Sequence, residues 1–297
     1  MRREPGFSDE RVNPPSVPEE KPSFRQIVAA GFRTVNAVWL APVLLFVILA
    51  PQQTGACAEL LALRASGRQL PPWLIAMAII GHLSLIWWLV VLLGLPWVVG
   101  GAAARFADHL IPPERRRSYV ERANHFYGRS FVLLILLGVL LAALFLPLYA
   151  VPTWLMIRDE LFSAEPDFRA IRSAFSHPAM LACTIAWWLA AAVVIMAWDL
   201  IVAAMAIEDM RLSRAVQRGL FFMRDHPADT ARFWLFVMLI GLPDLLLQQA
   251  MVLVPMAAIP LMAIAIGTAT YNAYAIMLTI AVAESLSLAQ RPPITAG

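Results

Sequence analysis

The chain alternates long apolar runs with shorter stretches that hold nearly all of its charges. An α-helix rises about 1.5 Å per residue, so roughly 20 apolar residues cross a hydrocarbon core of about 30 Å. Runs of that length, bounded by charged residues and prolines, predict transmembrane helices. We predict six spans, near residues 35–50, 73–99, 131–156, 179–205, 233–254 and 257–283.

The last two predicted spans come from one apolar run. Residues 233–283 contain a single charged side chain, Asp244. The run is long enough for two crossings and too short for three, so we expect a tight turn between Pro255 and Pro260. The pattern therefore predicts an all-α fold, a polytopic transmembrane helical bundle in which residues 23–290 form one domain.

Composition supports this class of protein. Of the 297 residues, 60% are hydrophobic and 14% are charged, whereas soluble domains carry about 25% charged residues. Residues 1–22 are polar and interrupted by prolines, and we interpret them as a disordered cytoplasmic tail without a secretory signal. Residues 291–297 form a short C-terminal tail.

The basic residues predict the orientation of the bundle. Of the 23 lysines and arginines, all but five fall on one side of the predicted spans. Positive residues concentrate in cytoplasmic segments, so we expect a multi-pass inner-membrane protein with both termini in the cytoplasm. No basic domain stands apart from the bilayer, which argues against a nucleic-acid partner. The five exceptions are Arg64, Arg68, Arg158, Arg169 and Arg172.

Two amphipathic segments precede predicted spans one and five. In "SFRQIVAAGFR", residues 23–33, and in "RLSRAVQRGLFFMR", residues 211–224, apolar side chains recur at helical spacing. In the second segment, Arg211, Arg214 and Arg218 lie on the opposite face. We predict helices in the cytoplasmic interface, with these arginines at anionic lipid headgroups. The alternative is an ordinary solvated helix between spans.

A weak internal repeat runs through the middle of the chain. "IWWLVV" at 86–91 is similar to "AWWLAA" at 186–191, and "RSFVLLILLG" at 129–138 is similar to "RFWLFVMLIG" at 232–241. Both pairs run in the same direction, which would make spans two and three a parallel repeat of spans four and five. Chance recurrence of tryptophan pairs and leucine-rich runs is an equal alternative.

Two longer stretches carry a family resemblance. "SFRQIVAAGFRTVNAVWLAPVLLF" and "MRLSRAVQRGLFFMRDHPADTARFWLFVMLIG" resemble uncharacterised bacterial multi-pass proteins similar to the membrane domain attached to some glycerophosphodiester phosphodiesterases. The resemblance extends over about residues 24–285 and implies a helical inner-membrane fold. The catalytic barrel of those phosphodiesterases has no counterpart in this sequence, so the resemblance implies no activity.

The sequence offers little for catalysis or metal binding. The five histidines lack the i, i+3 or i, i+4 spacing of a helical metal site, and no glycine-rich phosphate loop is present. We therefore predict a protein that is not an enzyme and holds no metal or cofactor. The predicted topology brings Cys57 and Cys183 toward the outer face, where conditions allow a disulfide bond. Two unpaired thiols are nevertheless the favoured prediction.

The acidic residues of the spans differ in predicted depth. We expect Asp199 and Glu284 to end spans four and six at the cytoplasmic surface as wetted anchors. Asp244 lies 11 residues beyond Phe233, about 16 Å along a helix and close to the bilayer midplane. A carboxyl at that depth should face the bundle interior.

Asp244 requires polar partners at this depth. Pro243 leaves a backbone carbonyl near residue 239 without its usual donor, and Gln248 at i+4 shares a helix face with Asp244. These groups predict an intramembrane polar site. It has either a structural role at a helix kink or a coupling role in proton or solute movement. The candidate partners on other spans are His82, Asn272 and Tyr271.

Two functions are consistent with these patterns. The first is a non-catalytic integral inner-membrane protein, either an accessory or scaffold subunit for a membrane-protein partner or a module that contacts lipids. The second is a small solute or proton-coupled transporter, for which proline-broken spans and a midplane acid are expected parts.

Overall fold

The computed structural model describes residues 21–64, 84–110, 118–161, 177–253 and 258–290. Helices dominate these ranges, and no strand occurs in them. Five helices in this part of the chain are long and apolar enough to cross a membrane, and the number becomes six only if a bent pair, residues 24–37 and 40–51, is counted as one span. The predicted all-α membrane bundle is confirmed. Apart from Lys21 and Pro22, both predicted tails lie outside the described residues.

The bounds of the described α-helices are α1 Phe24–Ala37, α2 Leu40–Arg64, α3 Ser84–Leu110, α4 Tyr119–Phe145, α5 Val151–Leu161, α6 Pro178–Glu208, α7 Leu212–Asp225, α8 Pro227–Leu253 and α9 Ala258–Ala289. A π-helical turn at Leu146–Ala150 joins α4 directly to α5.

The core lies where three inner helices, α3, α6 and α9, pack against one another. Their buried stretches are rich in alanine and other small residues, over residues 102–107, 198–206 and 277–286. Small side chains allow helix backbones to approach closely, which increases van der Waals contact where lipid supplies no hydrophobic drive. The inner helices are therefore held by close packing.

Three amphipathic outer segments cover the inner helices: α1 on α9, residues 119–130 of α4 on α3, and α7 on α6. A glycine permits each close approach. A Cβ on Gly31 would come within 2.5 Å of Val282 Cγ2, and one on Gly219 within 2.8 Å of Ile201 Cγ1. On α3, a Cβ on Gly101 would meet Ala123 of α4 at 2.8 Å. Each outer segment therefore uses part of its apolar face for protein packing.

A capping box at the start of α1 and a bend at its end define the limits of this helix. At its start the backbone N–H of Ser23 donates to Gln26 Oε1 at 2.6 Å, and the Gln26 N–H donates to Ser23 Oγ at 3.4 Å, a reciprocal capping box. At its other end the chain bends by 78° before α2. The amphipathic helix therefore extends to Ala37, into the region predicted as the first span at 35–50.

The inner helices continue beyond the predicted span ends. We predicted ends at residues 99, 205 and 283, whereas α3 reaches Leu110, α6 reaches Glu208 and α9 reaches Ala289. The sequence "GGAAARFADHL", residues 100–110, is the clearest case, because we took it for part of a connection. Its alanines and Phe106 are covered by neighbouring helices, and this tertiary packing offsets the low helix propensity of its glycines.

Candidate functional site

The structure brings three of the predicted polar residues together where α8 meets α9. Asn272 Nδ2 donates to Asp244 Oδ1 at 2.9 Å, and the Tyr271 hydroxyl donates to the Ile240 carbonyl at 2.7 Å. Ile240 is one residue from the carbonyl that we expected Pro243 to free. The side chain of Gln248 and the whole of His82 lie outside the described residues.

A cavity of about 190 Å³ opens beside Asp244, between α6 and α8. Trp187 and Trp188 form one wall, and Gly241 forms part of the other. A Cβ on Gly241 would lie 3.3 Å from Trp188 Nε1, so the glycine makes room for the indole ring. The buried Nε1 of Trp187 has no hydrogen-bond partner within the described ranges. This arrangement has space for a few waters or a very small solute beside a carboxyl group.

The predicted headgroup arginines lie on the outward side of α7. Arg211 is the N-cap residue of the helix, and Arg211, Arg214 and Arg218 are all exposed. Arg218 Nε also lies 3.7 Å from Glu208 Oε1. The apolar residues of α7 divide in two directions: Ala215 and Gly219 are buried, while Leu220 and Phe221 are about half exposed.

Two buried carboxyls correct our assignment of wetted anchors. Asp199 and Glu284 are 0% exposed, so the prediction that they are wetted anchors is wrong. The physical reason is that α6 and α9 continue past them, which leaves both side chains inside the core. Among the described residues, none of their carboxyl oxygens has a hydrogen-bond partner. Thr279 lies beside Asp199, but its hydroxyl donates to the Ile276 carbonyl.

A third buried acid, Asp108 of α3, forms a two-pronged ion pair with Arg122 of α4. Arg122 Nε donates to Asp108 Oδ2 at 3.0 Å, and Arg122 Nη2 donates to Asp108 Oδ1. Asp108 is 1% exposed, and it lies within electrostatic reach of Glu284. Sequence reasoning did not single out Asp108, because it placed the residue in a cytoplasmic connection where an acid needs no explanation.

A more exposed cluster joins α4 to the corner between α6 and α7. Asp209 follows α6 with a left-handed backbone, φ 46°, and accepts from Arg129 Nη1 at 2.7 Å. His125 Nε2 lies 3.0 Å from the same carboxylate oxygen, and Arg129 also donates to the Met210 carbonyl at 3.0 Å. Partial burial alone would raise the pKa of Asp209, but the hydrogen bonds and charges of His125 and Arg129 outweigh it and lower that pKa below its usual 3.8.

The cluster predicts a loss of stability in acid. A carboxyl whose pKa is lower in the folded state stabilises the fold above its unfolded pKa and loses that contribution as the pH falls through the folded value. Below about pH 4, the wild-type protein should lose thermal stability faster than Asp209→Asn does, because only the wild type has this carboxylate to protonate. Melting temperatures measured from pH 3 to 7 in one detergent test this; identical acid slopes for both proteins would contradict it.

No group of three or more histidine, cysteine, aspartate or glutamate side chains in the described part of the chain could hold a metal ion. Cys183 is a free, half-buried thiol, and the side chain of Cys57 lies outside the described residues. Comparison of the chain with protein-family models, with curated proteins and with solved structures finds no match. The candidate sites therefore rest on their geometry.

Proposed function

We propose that this protein is a non-catalytic integral inner-membrane protein, either a module that contacts anionic lipid headgroups or an accessory or scaffold subunit. One observation supports the lipid-contacting module: α7 packs its buried residues on α6 and leaves three arginines exposed. The exposed Leu220 and Phe221 supply apolar area that suits the boundary between headgroups and acyl chains.

The charge distribution supports a cytoplasmic position for these arginines. They belong to the side that holds all but five of the 23 basic residues, which favours cytoplasmic N- and C-termini. The resemblance to membrane domains of some glycerophosphodiester phosphodiesterases is consistent with this placement and remains part of the proposal. The cytoplasmic leaflet is enriched in anionic lipids, and each basic residue close to its surface contributes about 1 kcal/mol to membrane binding.

Replacing Arg211, Arg214 and Arg218 together by glutamine should release α7 from anionic membranes. We expect backbone amides of α7 in the wild-type protein to exchange more slowly in nanodiscs with phosphatidylglycerol than in neutral ones. Three basic residues contribute up to about 3 kcal/mol, or about a hundredfold in the opening equilibrium. The glutamine variant should exchange equally fast in both lipids.

The matched control replaces the same three arginines by lysine. That variant keeps the positive charge and should keep the lipid dependence of exchange. A glutamine variant that still distinguishes the two lipids as the wild type does would remove the electrostatic part of the proposal.

A second candidate, a small solute or proton-coupled transporter, is favoured by one observation, the cavity beside Asp244 and its bond to Asn272. Intramembrane acids that face a cavity commonly mark ion or proton paths.

For a transporter, Asp244→Asn should abolish charge movement in proteoliposomes on a solid-supported membrane while the protein still assembles, because the amide keeps hydrogen bonds without the proton chemistry. Equal signals from both proteins, with equal melting temperatures, would assign Asp244 a structural role.

A further inference from the structure

The helices α1 and α7 have the same length and the same ends. Each has 14 residues and follows an extended N-cap residue, which is Ser23 with φ −63° and ψ 154° or Arg211 with φ −64° and ψ 148°. The C-cap residues are also alike, Val38 with φ −114° and ψ 44° and His226 with φ −125° and ψ 59°. The residues of α1 therefore correspond one to one with those of α7.

The two helices also pack on their inner helices in the same way. Gly31 of α1 corresponds to Gly219 of α7, and both are buried. In each case an added Cβ would lie 3.2 Å from the backbone nitrogen and 3.4 Å from the Cα of the facing residue, which is Val282 of α9 or Ile201 of α6. The residues one turn before the two glycines are buried as well. Both helices therefore have the same rotation about their axes relative to the inner helix.

This shared rotation exposes corresponding apolar side chains. Phe32 is 41% exposed and Leu220 is 52% exposed, and each directly follows its glycine. The other flank of α7 carries the exposed Arg218 and Asp225, and the counterpart of Asp225 in α1 is the exposed Ala37. The proposed function places Leu220 at the boundary between headgroups and acyl chains. The correspondence places Phe32 at the same boundary.

The connection from α1 to α2 gives independent evidence for the orientation of α1. The chain bends by 78° between α1 and residues 40–51 of α2, which are almost entirely apolar. With α2 entering the hydrocarbon core, as its composition indicates, a bend of this size brings α1 close to the plane of the membrane surface. Trp39 lies at the bend and is 65% exposed, and tryptophan is enriched at membrane interfaces.

The N-terminal part of α4 lacks this bend. It also follows an extended N-cap residue, Ser118 with φ −65° and ψ 155°, and it covers α3 as α1 covers α9. The helix then continues without a break from Tyr119 to Phe145. Its amphipathic part therefore shares the direction of the apolar stretch that follows, whereas α1 lies at 78° to its own.

The charge of α1 suits an anionic surface. The helix contains two exposed basic residues, Arg25 and Arg33, and no acidic residue. Basic residues on an interfacial helix are attracted to anionic headgroups, while its exposed apolar side chains reach the acyl boundary. Neither arginine belongs to the set on α7 that supports the proposed function.

We propose that α1 is a second membrane-surface helix, which contacts anionic lipids of the cytoplasmic leaflet at the same depth as α7. Phe32 and Trp39 contact the acyl boundary, and Arg25 and Arg33 contact the headgroups. The inference rests on the proposed function for the position of α7. It extends the lipid contact from the side of α6 to the side of α9, and the correspondence with α7 defines the rotation and depth of α1, which its amphipathic pattern alone does not.

Spin-label depth measurements on the full chain in nanodiscs with phosphatidylglycerol test the shared depth. With Cys57 and Cys183 replaced by serine, single nitroxide labels are attached at Phe32→Cys, Leu220→Cys and Ala37→Cys. The labels at Phe32→Cys and Leu220→Cys should be more accessible to molecular oxygen than to a water-soluble nickel chelate, and their depths should agree. The label at Ala37→Cys, on the other flank of α1, should be the more accessible to the nickel chelate. Unchanged melting temperatures provide the control for folding.

A charge substitution tests the choice of anionic lipid. Backbone amides of α1 in the wild type should exchange up to about thirtyfold more slowly in nanodiscs with phosphatidylglycerol than in neutral ones. The variant Arg25→Gln with Arg33→Gln should lose most of this difference, whereas Arg25→Lys with Arg33→Lys should keep it. Exchange in α7 should depend on the lipid as in the wild type in both variants, because α7 keeps its own arginines.

The outcomes separate this inference from the proposed function. A label at Phe32→Cys that is as accessible to the nickel chelate as the label at Ala37→Cys would overturn the inference, and a label at Leu220→Cys that still lies in the acyl region would leave the proposed function standing. Both labels in water would contradict the proposed function as well. An unchanged lipid dependence in the glutamine variant of Arg25 and Arg33 would overturn the contact of α1 with anionic headgroups.

Discussion

Replacing Arg122 by methionine should lower the free energy of unfolding by about 3 to 5 kcal/mol, the usual effect of removing one partner from a buried ion pair. Asp108 is 1% exposed and depends on Arg122 for a bidentate contact. Without the guanidinium, the Asp108 carboxyl has lost its counter-charge in the core, near the buried carboxyl of Glu284. Reversible unfolding in mixed micelles, followed by circular dichroism, measures the loss.

Two comparisons give this result its meaning. Arg232→Met removes a similar side chain from an exposed pair, in which Arg232 Nη1 donates to Asp229 Oδ1 at 3.2 Å, and it should cost no more than about 1 kcal/mol. Arg122→Met combined with Asp108→Leu should regain most of the lost stability, because an apolar pair leaves no uncompensated charge. If Arg122→Met were no more costly than Arg232→Met, the pair would not be holding the core.

The apolar pattern predicted the helices better than their ends. Hydropathy identifies α6 and α8 because long apolar runs leave few alternatives in a membrane. It fails at the end of α3, where "GGAAARFADHL" combines glycines with an arginine, an aspartate and a histidine. That stretch is helical because α4 covers it and Arg122 compensates Asp108. Both causes are tertiary contacts, which local composition does not contain.

The candidate sites differed in the same way. The intramembrane polar site at Asp244 could be predicted from the sequence, because the depth of Asp244, the adjacent Pro243 and the helical spacing are all local features. The predicted partners Asn272 and Tyr271 do lie at this site. Asp199 and Glu284 were misjudged because their distance along a span says nothing about which helices surround them.

The glycines of the outer segments give the second large effect. Gly31→Ala and Gly219→Ala should each destabilise the protein by about 1 to 3 kcal/mol through overpacking. Alanine is ordinarily the better helix former by about 0.5 to 1 kcal/mol, so the sign depends on the space available. Besides the side-chain contacts, the new Cβ atoms would lie 3.2 Å from the backbone nitrogens of Val282 and Ile201. Backbone atoms of an inner helix cannot move aside without a large cost in free energy. The overpacking penalty should therefore exceed the gain in helix propensity.

Gly138→Ala is the matched control, since Gly138 lies in helix α4 with nothing within 4 Å of its added Cβ. Gly138→Ala should be neutral or slightly stabilising in the same unfolding assay. That result would show that the losses at Gly31 and Gly219 come from the contacts of the added Cβ atoms and not from replacing a glycine as such. Combining Gly31→Ala with Val282→Ala removes the 2.5 Å clash with Cγ2 but leaves the backbone contact, so stability should recover only in part. Gains at both Gly31 and Gly219 would mean that the outer segments do not press on the inner helices. Losses at both positions would show that α1 on α9 and α7 on α6 each depend on the close approach that a glycine allows.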